Sequence, residues 1–211
     1  MPSAQFHRLP AAQQERILGA SLVAFAEDGY DLASTNRIVR DAGISKGVLF
    51  KYFTDKEALF LHVVEVETAA YLEGLPPASG GSFFEWIRLA TAYKLRHLKE
   101  RPLAYRLFTR IYKNRDHAVY ARAARLASAM AQRLGWDAPR WEFGPLRPGV
   151  SPGQVNNLVQ WVAAGLQERF AESMPDTPDE EFDVAYAAIV SELATYLEIL
   201  KSGIYGEGAV R

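Results

Sequence analysis

The 211-residue sequence contains no cysteine, which excludes disulfides and thiolate metal sites and makes a reducing cytoplasm the simplest home. No apolar run approaches the roughly 20 residues that a membrane span needs. The opening stretch, MPSAQFHRLPAAQQERILGA, also lacks an apolar core of signal-peptide length, so no membrane partner is expected. There is no phosphate loop, nucleophile elbow or zinc motif, and Gly203, Gly206 and Gly208 follow no strand pattern. The four histidines, at 7, 62, 97 and 117, are scattered. His62 and Glu65 make a superficially metal-like H-x-x-E, but no second carboxylate pair stands at matching spacing. These absences argue against an enzyme, and neither a metal nor a cofactor is expected.

A net charge of -1 gives no hint of nucleic acid, but the charge is unevenly spread. Residues 88–133 carry twelve Lys/Arg against Glu100 and Asp116, whereas residues 134–211 carry twelve acids against five bases. Near the N-terminus, the window 34–56 holds Arg37, Arg40, Lys46, Lys51 and Lys56 against only Asp41 and Asp55. With 49% hydrophobic and 23% charged residues, the chain can bury a core as one domain, or as a small domain joined to a larger one.

Strand-like alternation is scarce, and apolar residues recur at helical steps almost throughout. A first helix at roughly 12–28 places Ile17, Leu18, Ser21, Leu22 and Phe25 on one side and stops at Asp28-Gly29. Ser34 can cap a second helix, Gly43 supplies a turn, and Ser45 can cap a short third helix through about Lys51. Thr54 and Glu57 fit a capping box at the start of a fourth helix, which runs on through Leu59, Phe60, Val63, Val66 and Ala70. After the Pro/Gly-rich break at 72–82, helices are expected at 83–100, at 102–114 with Pro102 in its first turn, and at 116–134. A long connection with three aromatics (135–153) should be packed, and two long helices, 153–172 and 179–202, close the chain.

Helix, glycine turn and short basic helix form the pattern of a helix-turn-helix, whose second helix enters the major groove with its first residues. Those residues are Ser45, Lys46, Gly47 and Val48. Lys51 and Tyr52, at the far end, can reach phosphates. Lys56 adds a cation where free helix amides already favour an anion. Ser34, Thr35, Asn36 and Arg37 offer donors to the opposite strand, while Phe50 and Phe53 are expected to pin the short helix to its neighbours. A charge run alone usually marks a solvated face; here caps, turn glycine, Lys-Gly pair and basic-aromatic end coincide.

The segments FAEDGYDLASTNRIV, DAGISKGVLFKYF and DKEALF, within about Ile17–Val66, resemble the DNA-binding domain of the tetracycline-repressor (TetR) family. The resemblance covers about a quarter of the chain and implies an all-α fold of about nine helices. A three-helix helix-turn-helix domain (1–54) would be joined by a connecting helix (55–73) to a larger helical domain (55–211) that binds an effector and dimerises. It implies a cytoplasmic repressor that binds a palindromic double-stranded operator as a homodimer and is released by a small molecule. Family contacts carried over by position fall on the same residues of 34–37, 45–48, 51, 52 and 56. Ala33 and Phe50 depart from the threonine and tyrosine found in many members, which removes two hydroxyls.

On the helices that surround family pockets, the effector lining is expected at Trp86, Tyr93, Phe108, Arg110, Tyr112 and Trp161. The stripe Arg106, Arg110 and Lys113 could hold the head group of an amphipathic or anionic effector; the simpler account is a solvated face paired with the acidic C-terminal part. The last two helices carry apolar stripes, Val155 to Phe170 and Phe182 to Ile204, which pattern alone leaves open between core and dimer seam. The resemblance favours a dimer bundle through Leu158, Val162, Leu166, Tyr186, Ile189, Leu193 and Leu197, with Ala163, Ala164 and Gly165 allowing close approach.

Overall fold

A computed structural model describes residues 2–77, 83–133, 146–172 and 180–204. The first part of the expected connection (135–153), with Trp136, Trp141 and Phe143, lies outside these residues, as do most of the breaker MPDTPDEE and the side chains of Ala163, Ala164 and Phe170. Ten helices and no strand occur among the described residues. They are α1 (Ala4–His7), α2 (Ala11–Leu32), α3 (Thr35–Ala42), α4 (Lys46–Tyr52), α5 (Lys56–Glu73), α6 (Phe83–Glu100), α7 (Pro102–Lys113), α8 (Ala118–Arg133), α9 (Pro152–Glu172) and α10 (Glu180–Ile204). The all-α expectation holds, with one short helix, α1, beyond the expected nine.

Local chemistry sets most boundaries. Ser34 and Ser45 cap α3 and α4, accepting from the amides of Arg37 at 3.4 Å and Val48 at 3.3 Å. Gly43 closes α3 in the left-handed region at φ 68°, where a side chain would be strained. Gly29, at φ 74° and ψ 176°, breaks α2 just where the Asp28-Gly29 stop is expected, although one more turn follows it. The capping box at Thr54 is displaced by one residue. Asp55 accepts from the Ala58 amide at 2.7 Å, while Glu57 turns away to Arg122 on α8. A carboxylate is the stronger acceptor for a free helix amide, and a guanidinium outbids a backbone amide for Glu57.

Packing divides the chain into two compact units, Met1–Glu73 with Arg101–Leu134, and Gly74–Glu100 with Gly135–Arg211. The expected domains, 1–54 and 55–211, divide the chain elsewhere: here α5, α7 and α8 pack with the N-terminal helices. In the first unit, α2 packs on α3, α5 and α7, and α5 packs on α8. Its core joins Ile17, Phe25, Ile38, Leu49, Phe53, Leu59 and Phe60 to Leu107, Ile111, Val119, Tyr120 and Ala123. Each of the larger side chains contributes about 1.5–3 kcal/mol on burial, so α7 and α8 are held to the N-terminal helices by the main stabilising term. Glu67, buried on α5, is neutralised by the Arg101 guanidinium at 2.7 and 3.0 Å. In the second unit, α9 and α10 pack together and α6 packs on α10. A small core there joins Val159 and Leu197 to Phe84, Ile87, Leu193 and Leu200.

Candidate nucleic-acid interface

The helix α4 is two-faced at the spacing its sequence prescribes. Leu49 and Phe53, four residues apart, are buried, whereas Ser45, Lys46, Gly47 and Lys51 are exposed. Val48 and Tyr52 are half-buried. The expectation that Phe50 pins this helix fails: it is 39% exposed and stands on the outward face with Lys46 and Lys51. The reason is angular, since Phe53 shares a face with Leu49 and Phe50 does not. Among the described residues, Lys46 and Lys51 face no carboxylate.

The far end of α4 is held by an element that sequence reasoning missed. The Ser3 amide donates to the Tyr52 carbonyl at 2.8 Å, and Phe6 of α1 is buried against Tyr52, Phe53 and His62. The one available signal was Phe6 itself, a large aromatic in an otherwise polar N-terminus. His62 and Glu65 form a contact of 2.9 Å, so the H-x-x-E pair lies beside this aromatic cluster. No group of three or more metal-ligating side chains occurs among the described residues.

The residues expected on the second strand contact meet different fates. Ser34 and Asn36 are exposed at the start of α3, and Thr35 is half-buried. Arg37 is not free: Glu27 holds it at 2.6 Å, Asp28 at 3.0 Å and Asp41 at 3.6 Å. The hydrogen bond to Glu27 is the main cause that raises its guanidinium above its ordinary pKa. Lys56 is committed as well. Its Nζ donates to the carbonyls of Asp31 at 3.0 Å and Ala33 at 3.3 Å, and lies 4.8 Å from the Tyr30 ring centre. It therefore caps the end of α2 instead of presenting a free cation.

The broken end of α2 is gripped from α7 and α8 too. Arg110 donates from Nε to the Ala26 carbonyl at 2.9 Å and from Nη2 to the Glu27 carbonyl at 2.6 Å. The Tyr120 hydroxyl accepts from the Tyr30 amide at 2.8 Å. Arg110 was expected in an effector lining; helix-end carbonyls, which carry partial negative charge, have claimed it instead. The basic middle of the chain is thus partly structural. Arg101 and Arg122 pair with Glu67 and Glu57 of α5, and only Lys99, on Asp183, meets the expected acidic C-terminal part among these.

The other effector candidates fall in both units. Phe108 packs at the edge of the first unit's core, and the Tyr112 ring is covered by Arg115 at 3.7 Å. In the second unit, buried Trp86 donates to the Pro76 carbonyl at 2.8 Å, and the Tyr93 hydroxyl lies 3.1 Å from His97 Nδ1. Trp161 is 71% exposed and lines no interior. Of the expected dimer positions, Leu166, Tyr186 and Leu197 are buried within their own unit, and the Tyr186 hydroxyl donates to the Thr91 carbonyl. Val162, Ile189 and Leu193 are half-buried, and Leu158 is 37% exposed. Among the described side chains, the large apolar ones that α9 and α10 expose are Leu158, Trp161, Val184 and Ile199. On the same face of α10 as Ile199 lie Ser191, Ala194, Thr195, Glu198 and Ser202. No described helix is long and apolar enough to cross a membrane.

A capped helix, a left-handed glycine turn and a second capped helix with an outward basic face define a helix-turn-helix protein. The family model described as bacterial regulatory proteins, tetR family, matches residues 17–63. An HTH-type transcriptional repressor of Mycobacterium tuberculosis is 35% identical over 99 residues, 41% of this chain, and the match spans about half (53%) of that repressor's length. A solved protein of Streptomyces coelicolor, classed with transcriptional regulators, is 30% identical at a TM-score of 0.53, over 87% of this chain and 97% of that one. A TetR family regulator from Chloroflexus aurantiacus shares the fold at a TM-score of 0.59 and 22% identity, over 98% of this chain and all of its own. The chain belongs to the TetR family, whose members are DNA-binding transcriptional regulators and not enzymes.

Proposed function

We propose that this protein is a cytoplasmic transcriptional repressor that binds a palindromic operator as a homodimer and lets go when a small molecule binds its second unit. The observation that carries the reading is the outward face of α4: Lys46, Gly47, Phe50 and Lys51 stand exposed on a helix whose other face is locked by Leu49 and Phe53. Such a prong can enter a major groove, with Lys46 and Gly47 at base edges and Lys51 at phosphate. Ser34, Thr35 and Asn36 take the opposite strand, while Ser45, Val48 and Tyr52 complete the groove-facing surface of α4. Arg37 and Lys56 act from behind, by fixing α3 and the end of α2.

Two prongs are needed to read half-sites about one DNA turn apart. The second copy docks on the exposed faces of α9 and α10, through Leu158, Trp161, Val184 and Ile199, with the small side chains Ser191, Ala194 and Thr195 letting the helices approach. The effector acts by favouring a conformation in which the grip of Arg110 and Tyr120 on α2 is altered, so that the paired prongs no longer match the duplex.

Footprinting the full-length protein on DNA flanking its own gene tests the reading, together with sedimentation at micromolar concentration. A protected, roughly two-fold symmetric site and a dimer are expected. A monomer that protects nothing at low salt would overturn it.

A further inference from the structure

The helix α6 turns Trp86, Ala90, His97 and Leu98 into the second unit, where all four are buried. At 3.6 residues per turn Lys94 falls inside the arc these residues define, one turn beyond Ala90 and one before Leu98. That position calls for an apolar side chain. Lys94 is half-buried there, and among the described residues no carboxylate and no hydrogen-bond acceptor reaches its ammonium. Several polar groups of α6 and α10 are paired elsewhere. Asp183 of α10 is held by Lys99, the Thr91 carbonyl by the Tyr186 hydroxyl at 2.7 Å, and His97 Nδ1 by the Tyr93 hydroxyl.

An ammonium on the inward face of a helix without a counter-charge is costly, and burial pushes the Lys94 pKa below its ordinary value. The exposed Lys46 and Lys51 bear no such cost. A group kept at a loss in the free protein gains most when a ligand brings the missing charge. We propose that Lys94 is the head-group anchor for a small organic anion, a carboxylate on an apolar body, bound within the second unit beside Trp86, Ala90 and Leu98. The inference rests on reading that unit as the effector-sensing part, and it names the chemical class of the effector. It also moves the expected anion site from Arg110, which caps α2, to a lysine that has no partner among the described residues.

The test uses full-length wild-type protein, Lys94→Met and Lys94→Gln, titrated with decanoate and with uncharged 1-decanol while tryptophan fluorescence and melting temperature are followed. Wild type should bind decanoate more tightly than decanol. Both variants should bind decanoate about tenfold or more weakly, with decanol unchanged. The ligand-free variants should melt no lower than wild type, because an unpaired charge has gone. Where the Met variant does not fold, the Gln variant carries the comparison. Equal decanoate affinity in wild type and variants, no preference of wild type for the anion, or both variants melting well below wild type would overturn the proposal. Duplex binding on the same preparations separates the two readings: all three ligand-free proteins should bind the footprinted DNA alike. Loss of that binding in all three would sink the regulator reading and leave the Lys94 comparison standing.

Discussion

Tyr120 and Tyr30 lie 90 residues apart in sequence and share one hydrogen bond, the Tyr30 amide donating to the Tyr120 hydroxyl at 2.8 Å. The amide needs this acceptor because Gly29 leaves helical geometry immediately before it. Backbone near φ 74° and ψ 176° is essentially open to glycine alone, and a Cβ at this position would also come within 3.1 Å of the Tyr120 hydroxyl. Gly29→Ala should therefore cost about 1–3 kcal/mol, and Tyr120→Phe about 1–3 kcal/mol for the stranded amide. Urea unfolding measures both; a Gly29→Ala protein as stable as wild type would show that the break is unnecessary.

Arg110 closes the same helix end with two charge-assisted hydrogen bonds to carbonyls. Arg110→Ala should lower stability by about 1.5–3 kcal/mol, discounted for the partial exposure of the side chain. The first amides to gain hydrogen exchange should be those around 26–33. Decanoate binding should be unaffected, which separates this arginine from the anion site.

The cations near α4 should sort into two kinds. Lys46→Ala and Lys51→Ala should leave the melting temperature unchanged, weaken duplex binding, and reduce its salt dependence by about one unit per lost phosphate contact in each half-site. Arg37→Ala and Lys56→Ala should instead lower stability, because their partners Glu27, Asp28 and the carbonyls of Asp31 and Ala33 lie within the protein. A salt slope unchanged by Lys46→Ala would remove it from the interface.

Phe50 is too exposed to act as a core anchor. Phe50→Ala should shift stability by no more than about 0.5 kcal/mol. It should reduce the preference for sites that place a thymine methyl against α4, since an apolar ring reads that group by contact. Base-by-base competition assays read this out, and an unaltered preference would assign Phe50 no role in recognition.

Lys94 sets a pH dependence of known sign. Its pKa is lower in the folded protein, so between that value and the unfolded lysine value the unfolded chain binds the extra proton. Stability therefore rises with pH through this window, and the penalty is fully present below it. The stability advantage of Lys94→Met should shrink as pH climbs toward about 10.4. A difference between the two proteins that stays constant from pH 7 to 10 would contradict this account.

Helix positions are largely legible in the residue pattern, because they are set by contacts within a few residues. Ser34, Gly43 and Ser45 act where their chemistry placed them, and Pro102 opens α7. Of the apolar steps, Ile17 and Phe25 of α2 and Leu59, Phe60 and Val63 of α5 are buried, with Leu18, Leu22, Val66 and Ala70 half-buried. The outward face of α4 is legible for the same reason. Side chains whose partners are remote are not. Arg110 has the look of a ligand group and is a helix cap 84 residues away. Glu57 leaves its capping box for an arginine 65 residues distant, and Trp161 is exposed.

By itself the sequence determined an all-helical chain and a helix-turn-helix with an outward basic face. Caps, turn glycines and the 3.6-residue period act over short range and leave little choice. Only the tertiary structure decided which charges are free to meet a partner from outside. That choice depends on which carbonyls and carboxylates folding brings within about 3 Å, and periodicity carries no record of those distances.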